Sequence, residues 1–321
     1  MFEPVRDVSR AVHDAQIRLA MCGIAHIKNL RDRAPVNAAA KLMYFNQKSR
    51  GTNGYGLVGM NNHTIETHRA LKESDFLSRL TARPYDEILL HHRLPTSTKN
   101  TYASTHPFVM ELDNRRYYFV HNGIIENAHE LREQHYQAGI TYRSMEQDGT
   151  FNDSESLAWE FALYLCQRKQ GISAVGSVAC ICLETDRESN RARRLYFYHN
   201  NGSPLRMLLD SELLVLSSEG GWGSKVAVDK LFFYDYQTKT LKLHSPLTIS
   251  DELEIIWYGQ PALDWDEDDD GVDVSLQTSV QAEIRDLELE RDYLVSAGDY
   301  DWAQELDQEI ADLRSVTGTC R

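Results

Sequence analysis

The sequence predicts an α+β fold built mostly from antiparallel strands. Three observations carry that expectation. Short runs rich in β-branched and aromatic residues recur from residue 22 to about 245, among them Glu87-Ile88-Leu89-Leu90, Tyr117-Tyr118-Phe119-Val120, Ser177 to Leu183, Leu195-Tyr196-Phe197-Tyr198 and Leu213 to Leu216, with turn residues between them. Helical periodicity is confined in this stretch to Ala38–Gln47 and Ser156–Gln167, where Leu157, Phe161, Leu165 and Cys166 can share one face. A chain of 321 residues with 42% hydrophobic and 26% charged residues is long enough for one large or two ordinary domains and can bury a sizeable core.

Taken in order, residues 1–21 carry Val5, Val8, Val12 and Ile17 at roughly helical spacing among charges, a short amphipathic helix or a disordered leader. The strand-rich part, 22–258, follows as one domain. Residues 259–279 hold Asp264-Trp265-Asp266-Glu267-Asp268-Asp269-Asp270-Gly271, a like-charged run that repels itself and reads as an extended linker; it lacks the spaced ligands and bidentate Glu of a calcium loop. In 280–317, Ile284, Leu287, Tyr293 and Leu294, then Ala297-Gly298-Asp299, then Trp302, Leu306, Ile310 and Leu313 fit two short helices turning at Gly298. Asp299–Leu306 resembles the helical-hairpin interaction motif of nucleotide-excision-repair proteins; a self-packed hairpin or a dimerising coil is the competing reading. So small a hairpin buries little core alone and is expected to dock on a partner or on itself.

The formal charge of −14 argues against general nucleic-acid binding, which needs a basic face to neutralise phosphates. No apolar run reaches membrane-spanning length, and the first 21 residues lack the apolar centre of a secretory signal. The five cysteines, at 22, 166, 180, 182 and 320, are too scattered for a disulfide framework, and a cytoplasmic location is expected. The histidines do not have zinc-site spacing, Cys180 and Cys182 read as core residues on one strand face, and no phosphate-binding glycine loop is evident, so no metal and no cofactor is expected.

The segment Met21-Cys22-Gly23-Ile24 carries the sharpest chemistry. A Cys exposed by removal of a preceding Met holds a thiol nucleophile and a free α-amine whose ordinary pKa, about 7.7–8.0, suits it to accept the thiol proton. Two routes lead there: cleavage of a propeptide before Cys22, or translation from Met21 followed by loss of the initiator. The bland alternative makes Cys22 a small hydrophobe at the start of a buried strand.

Seven segments in order then resemble the class II glutamine amidotransferases of the N-terminal-nucleophile hydrolase superfamily, most closely the glutaminase half of glucosamine-6-phosphate synthase. They are Cys22-Gly23-Ile24; Arg50-Gly51 with Gly54 and Gly56; His91-His92-Arg93-Leu94-Pro95-Thr96; Ala103-Ser104-Thr105-His106-Pro107; His121-Asn122-Gly123-Ile124-Ile125-Glu126-Asn127; Asn152-Asp153-Ser154-Glu155; and Gly202-Ser203-Pro204-Leu205. The 121–127 segment is highly specific. The resemblance implies two antiparallel sheets between helix layers, the four-layer αββα fold, here with a C-terminal helical hairpin added. It implies Cys22 as nucleophile, the Asn122 amide and Gly123 N–H as oxyanion donors, Arg93 for the substrate α-carboxylate with Thr96 nearby, Asp153 for the α-ammonium, and Arg50 with Gly51 as the loop ordering the terminal Cys. Locally, Asn122-Gly123 also suits a hairpin turn, and Asn152-Asp153-Ser154 suits a helix N-cap.

The chain departs from its nearest relatives after Arg93, where Leu94, Pro95 and Ser97 replace a Trp, a small residue and a His; altered closure of the pocket is expected. The first expectation is a glutaminase subunit that hydrolyses L-glutamine and hands ammonia to a separate acceptor synthetase, docked through 280–317. A glutaminase fold kept as a silent binding or assembly module, with residues 1–21 masking Cys22, is the second. An N-terminal-nucleophile amidohydrolase acting on another amide is the third; Arg93 with Asp153 favours a free amino acid.

Overall fold

The computed structural model describes residues 22–31, 35–61, 64–95, 99–219 and 223–250, with positions 307 and 311, both helical. The expected leader 1–21, the acidic linker 259–279 and, apart from those two positions, the hairpin 280–317 lie outside the described residues, as do Thr96 and Ser97.

The first half of the domain runs β1 (Gly23–Asn29), α1 (Asn37–Gln47), β2 (Gly54–Asn61), β3 (Thr64–Ala70), α2 (Glu73–Ala82) and β4 (Glu87–Arg93). It continues with β5 (Phe108–Leu112), β6 (Arg115–Ile125), α3 (Ala128–Gln137), α4 (Asp153–Leu165), β7 (Gly176–Asp186) and β8 (Ala192–His199). The last strands are β9 (Arg206–Leu209), β10 (Leu213–Ser217), β11 (Ser224–Lys225), β12 (Lys230–Asp235) and β13 (Thr240–Pro246). Among the described residues these form a seven-stranded sheet, ordered β11-β9-β10-β1-β4-β2-β3, and a six-stranded sheet, ordered β13-β12-β8-β7-β6-β5. The strand pairs within both sheets are antiparallel.

Side-chain alternation along the strands sorts the apolar residues into three cores. Ile24, Val58 and Leu89 from one sheet meet Val120, Ile181 and Phe197 from the other. On the outer face of the seven-stranded sheet, Ala25, Leu57 and Leu90 pack against Tyr44 of α1 and Phe76 of α2. On the outer face of the six-stranded sheet, Phe119 and Cys180 pack against Leu131 of α3 and Phe161 of α4. Strands β4 and β7 are buried on both faces, so their sequences read as nearly continuous apolar runs rather than alternating ones.

The β1–β4 register, running from Gly23↔His92 to Lys28↔Glu87, sets the two poles of the sandwich. One more step places Cys22 beside Arg93; the opposite pole holds a buried polar knot. There Glu87 accepts from Lys28 Nζ at 2.8 Å, lies 2.7 Å from His26 Nε2 and takes the Tyr236 hydroxyl. Burial works against the Glu87 carboxylate, but Lys28 and His26 outweigh it and pull its pKa down to about 2. Because the folded pKa lies below the unfolded one, its stabilisation is present above the ordinary carboxylate range and is lost as pH falls towards 2. That linkage is worth about 3 kcal/mol. Acid titration of unfolding free energy between pH 5 and 2 should therefore flatten in Glu87→Gln; an unchanged acid slope would reject the account.

Candidate active site

At the first pole the Cys22 thiol, half-buried, sits against the backbone of one residue, Leu94. The Leu94 N–H donates to Cys22 Sγ at 3.3 Å, and Sγ lies 3.5 Å from the Leu94 carbonyl oxygen. Burial dominates its acidity: the thiol is pushed up to about 11, the nearby Asp153 carboxylate adding to the rise while the Leu94 N–H and the Arg93 guanidinium oppose it. A thiol so placed is neutral at physiological pH and needs a base to become a nucleophile.

The Leu94 peptide is held from behind by Gly51. A Cβ there would lie 2.4 Å from the carbonyl carbon and oxygen of Arg93 and 2.7 Å from Leu94 N, a clash with backbone that nothing flexible can relieve. Asn53 N–H also donates to the Arg93 carbonyl at 3.2 Å. The glycine thus lets the 51–53 loop press the thiol's hydrogen-bond donor into place. Gly51→Ala should displace that peptide and lower any Cys22-dependent turnover by about 100-fold, the scale of a misplacement near 1 Å. Turnover within a factor of two of wild type would show that the contact is dispensable.

Arg93, at the end of β4, is 2% exposed, and its Nη1 donates to Asn100 Oδ1 at 2.7 Å. Burial lowers its pKa, countered by Cys22, Asp153 and Glu146. A guanidinium remains charged under such a shift, so a fixed cation stands beside the thiol.

Asp153 comes from the other sheet's helix layer. It is the first residue of α4, which Asn152 caps by accepting the Ser154 N–H at 2.9 Å, so the N-cap reading of this segment is correct and Asp153 sits next to the cap. Asp153 Oδ2 accepts the Ile125 N–H at 2.8 Å and so ties α4 to the end of β6. A carboxylate in the first helical turn is also favoured by the helix dipole.

Asn122 and Gly123 do not form a hairpin turn. They lie inside β6, paired with Ala179 and Val178 of β7. Gly123 has φ +145°, and a Cβ there would stand 1.9 Å from the Ser177 carbonyl oxygen, so only glycine lets the strands approach. Asn122 is completely buried, yet neither Nδ2 nor Oδ1 has a hydrogen-bond partner among the described residues. Its neighbour His121 bonds Ser154 Oγ at 2.8 Å, beside Asp153.

Arg50 ion-pairs with Glu219, which follows two serines that hold β1. Ser218 Oγ accepts the Ile24 N–H at 3.0 Å, and the Ser217 hydroxyl accepts from Gln47 Nε2 at 2.9 Å while donating to the Glu219 carbonyl at 2.8 Å. Arg50 therefore steadies, through Glu219, the strand that Cys22 begins. His91 and His106 stack with ring centroids 3.8 Å apart, fully buried, and burial drives both well below the ordinary imidazole range.

Arg93 and Asp153, from the two sheets' sides, thus both act on the Cys22 thiol, and Asn122 and Gly123 lie on β6, whose end Asp153 holds at Ile125, whereas Thr96 lies outside the described residues. Sequence motifs alone missed Asn100, Ser217, Ser218 and Glu219. Only Asn100, in a polar loop seven positions after Arg93, carried a local hint; Glu219 is 169 residues from Arg50.

Among curated proteins, glutamine–fructose-6-phosphate aminotransferase [isomerizing] of Chlamydia pneumoniae is 29% identical over 179 residues, covering 52% of this chain and 27% of that protein. Over those residues the described domain is similar in sequence to that enzyme. The chain spans about a quarter of the length of that relative. No family model matches the chain. Solved structures of similar outline include the glutamine phosphoribosylpyrophosphate amidotransferase of B. subtilis, with TM-score 0.48, 15% identity and coverage of 70% of this chain and 49% of that one. A glutamine aminotransferase class-II domain protein of Silicibacter pomeroyi has TM-score 0.40 and 10% identity over 70% of this chain and all of that one. Leu94 meets the thiol through its backbone N–H and carbonyl.

Proposed function

We propose that the domain is a glutaminase of the αββα N-terminal-nucleophile type, and that the buried, unpartnered Asn122 amide at the thiol's pole is the single observation that carries this reading. Folded proteins almost always satisfy such a group, so one left open has its partner elsewhere, here the oxyanion of a bound substrate. Arg93 takes the α-carboxylate of L-glutamine through its planar fork, and Asp153 takes the α-ammonium. Cys22 attacks the side-chain amide carbon, its proton passing to its own α-amine. The tetrahedral oxyanion rests on Asn122 Nδ2 and the Gly123 N–H, ammonia leaves with the proton, and water hydrolyses the γ-glutamyl thioester to glutamate. Ammonia then passes to a separate acceptor synthetase, with residues 280–317 as the docking element, in the cytoplasm, where the thiol stays reduced.

The base exists only when Cys22 is N-terminal. With residue 21 attached, its nitrogen is an amide and the thiol, at about 11, stays protonated. That observation gives the silent module its one support: the uncut chain is the inactive form. The deciding experiment combines intact mass, N-terminal sequencing and glutamate release on the same sample. Hydrolysis by chains beginning at Cys22 and none by chains retaining residues 1–21 is the expected pattern; equal hydrolysis by both would reject the α-amine as base, and none by either would leave the binding module.

Arg93→Lys keeps the charge but loses the fork, so it should raise KM for glutamine by about 10- to 100-fold with kcat changed little, the cost of a lost bidentate charged contact. An unchanged KM would remove Arg93 from the substrate carboxylate.

A further inference from the structure

The pole opposite Cys22 opens into a cavity of about 460 Å³ between the ends of the two sheets, a size typical of small-molecule sites. We propose that it binds an organic anion with an apolar or aromatic body and a phosphate or carboxylate head. The proposal is independent of the reading of Cys22.

The charge of the wall is the first argument. Lys28, Arg31, Arg191 and Lys239 line the cavity against only Asp86 and Glu87, a positive surface on a chain whose formal charge is −14. Two of these cations are already engaged, Lys28 with Glu87 and Arg31 with Glu212. The side chains of Arg191 and Lys239 have no partner among the described residues, and both are exposed on the rim.

Both cations are presented by built turns rather than by loose loops. In the β7–β8 turn, Asp186 Oδ1 accepts the N–H and hydroxyl of Ser189, each at 2.9 Å, and Asp186 N–H closes on the Arg191 carbonyl at 2.9 Å. Asn190 there has φ +54° and is pinned by Arg116 Nη1 at 2.9 Å. In the β12–β13 turn, Asp235 Oδ1 accepts the N–H groups of Gln237 and Thr238, each at 2.9 Å, and Lys239 itself has φ +53°. Strands β8 and β12 are hydrogen-bonded neighbours, which brings the two turns side by side over the same opening. Two adjacent turns, each locked by an aspartate and each holding an unpaired cation over one cavity, form a clamp for a single anionic head.

The body of the ligand is set by the walls below. Met60 and Ile65 come from the seven-stranded sheet, Leu30 directly follows β1, and the Tyr236 ring closes the other side, its hydroxyl tied to Glu87 and Lys28 Nζ lying 4.8 Å from its centroid. Glu87, Lys28 and Tyr236 are engaged with one another, so the Tyr236 ring offers an incoming molecule an aromatic face.

The test is calorimetric titration of the full chain with 1-naphthyl phosphate. Saturable 1:1 binding is expected, at least tenfold tighter than that of inorganic phosphate or of neutral 1-naphthol, and weakened at least tenfold in the Arg191→Gln/Lys239→Gln double variant. Cys22→Ala should bind the probe as the wild type does. Absence of saturation at millimolar probe, equal binding by either half-probe, undiminished binding by the double variant, or loss in Cys22→Ala would each overturn the proposal.

Discussion

Asn122→Ala is expected to lower glutamine turnover by about 100- to 1,000-fold, the cost of one oxyanion donor, while leaving the fold at least as stable as the wild type. The two halves of that result come from one observation. A buried amide with no partner has given up its water contacts for nothing in the resting protein, a cost of about 1–3 kcal/mol, and its removal returns that cost against a small cavity term. Asn122→Leu, nearer in shape, sharpens the stability half because the cavity is refilled. A structural asparagine behaves in the opposite way, losing stability first and activity in proportion. Thermal midpoints measured beside kcat at saturating glutamine separate the two, and parallel loss of both would mean that Asn122 holds the strand rather than an oxyanion.

Cys22→Ala carries the other large effect. With no thioester available, glutamate release by the processed chain should fall by at least about 10,000-fold, the scale seen when a nucleophile is removed from a site whose members act as a unit. Stability should change by less than about 1 kcal/mol, since Cys22 is half-buried and, among the described residues, its Sγ hydrogen-bonds only the Leu94 backbone. The same thiol reports its own environment. In a chain retaining residues 1–21, iodoacetamide alkylation of Cys22 should stay slow through neutral pH and rise only as pH approaches about 11, because the raised pKa keeps the thiolate fraction small below it. Rapid alkylation at pH 7 in that form would refute the raised pKa, and residual ammonia release in Cys22→Ala would remove Cys22 from the mechanism.

Part of this molecule was legible before any coordinates. The runs at 117–120, 177–183 and 195–198 lie within β6, β7 and β8, and the periodic stretches 38–47 and 156–167 largely coincide with α1 and α4. Those elements carry their period in their own residues. Helices α2 and α3 were not singled out: Glu73–Ala82 buries only Phe76 and Leu80, and Ala128–Gln137 only Ala128, Leu131 and His135, too few apolar positions to mark a face. The Asn122-Gly123 pair shows the limit of a local rule. Its turn propensity is real, but pairing with β7 and the close approach to Ser177 override it, because strand context beyond the dipeptide decides where a permissive backbone is used.

The sequence by itself determined the candidate chemistry, since a thiol, a guanidinium, a carboxylate and a side-chain amide are properties of residue types at fixed positions in motifs. It also determined the α+β, largely antiparallel class, because strand and helix periods are local. Only the tertiary structure decided that Gly51 presses the Leu94 peptide onto the thiol, that Arg50 reaches β1 through Glu219, and that Arg191 and Lys239 meet over one cavity. Each of those is a contact between segments far apart in the chain. Register, sheet order and burial create them, and no period or motif within a single segment encodes them.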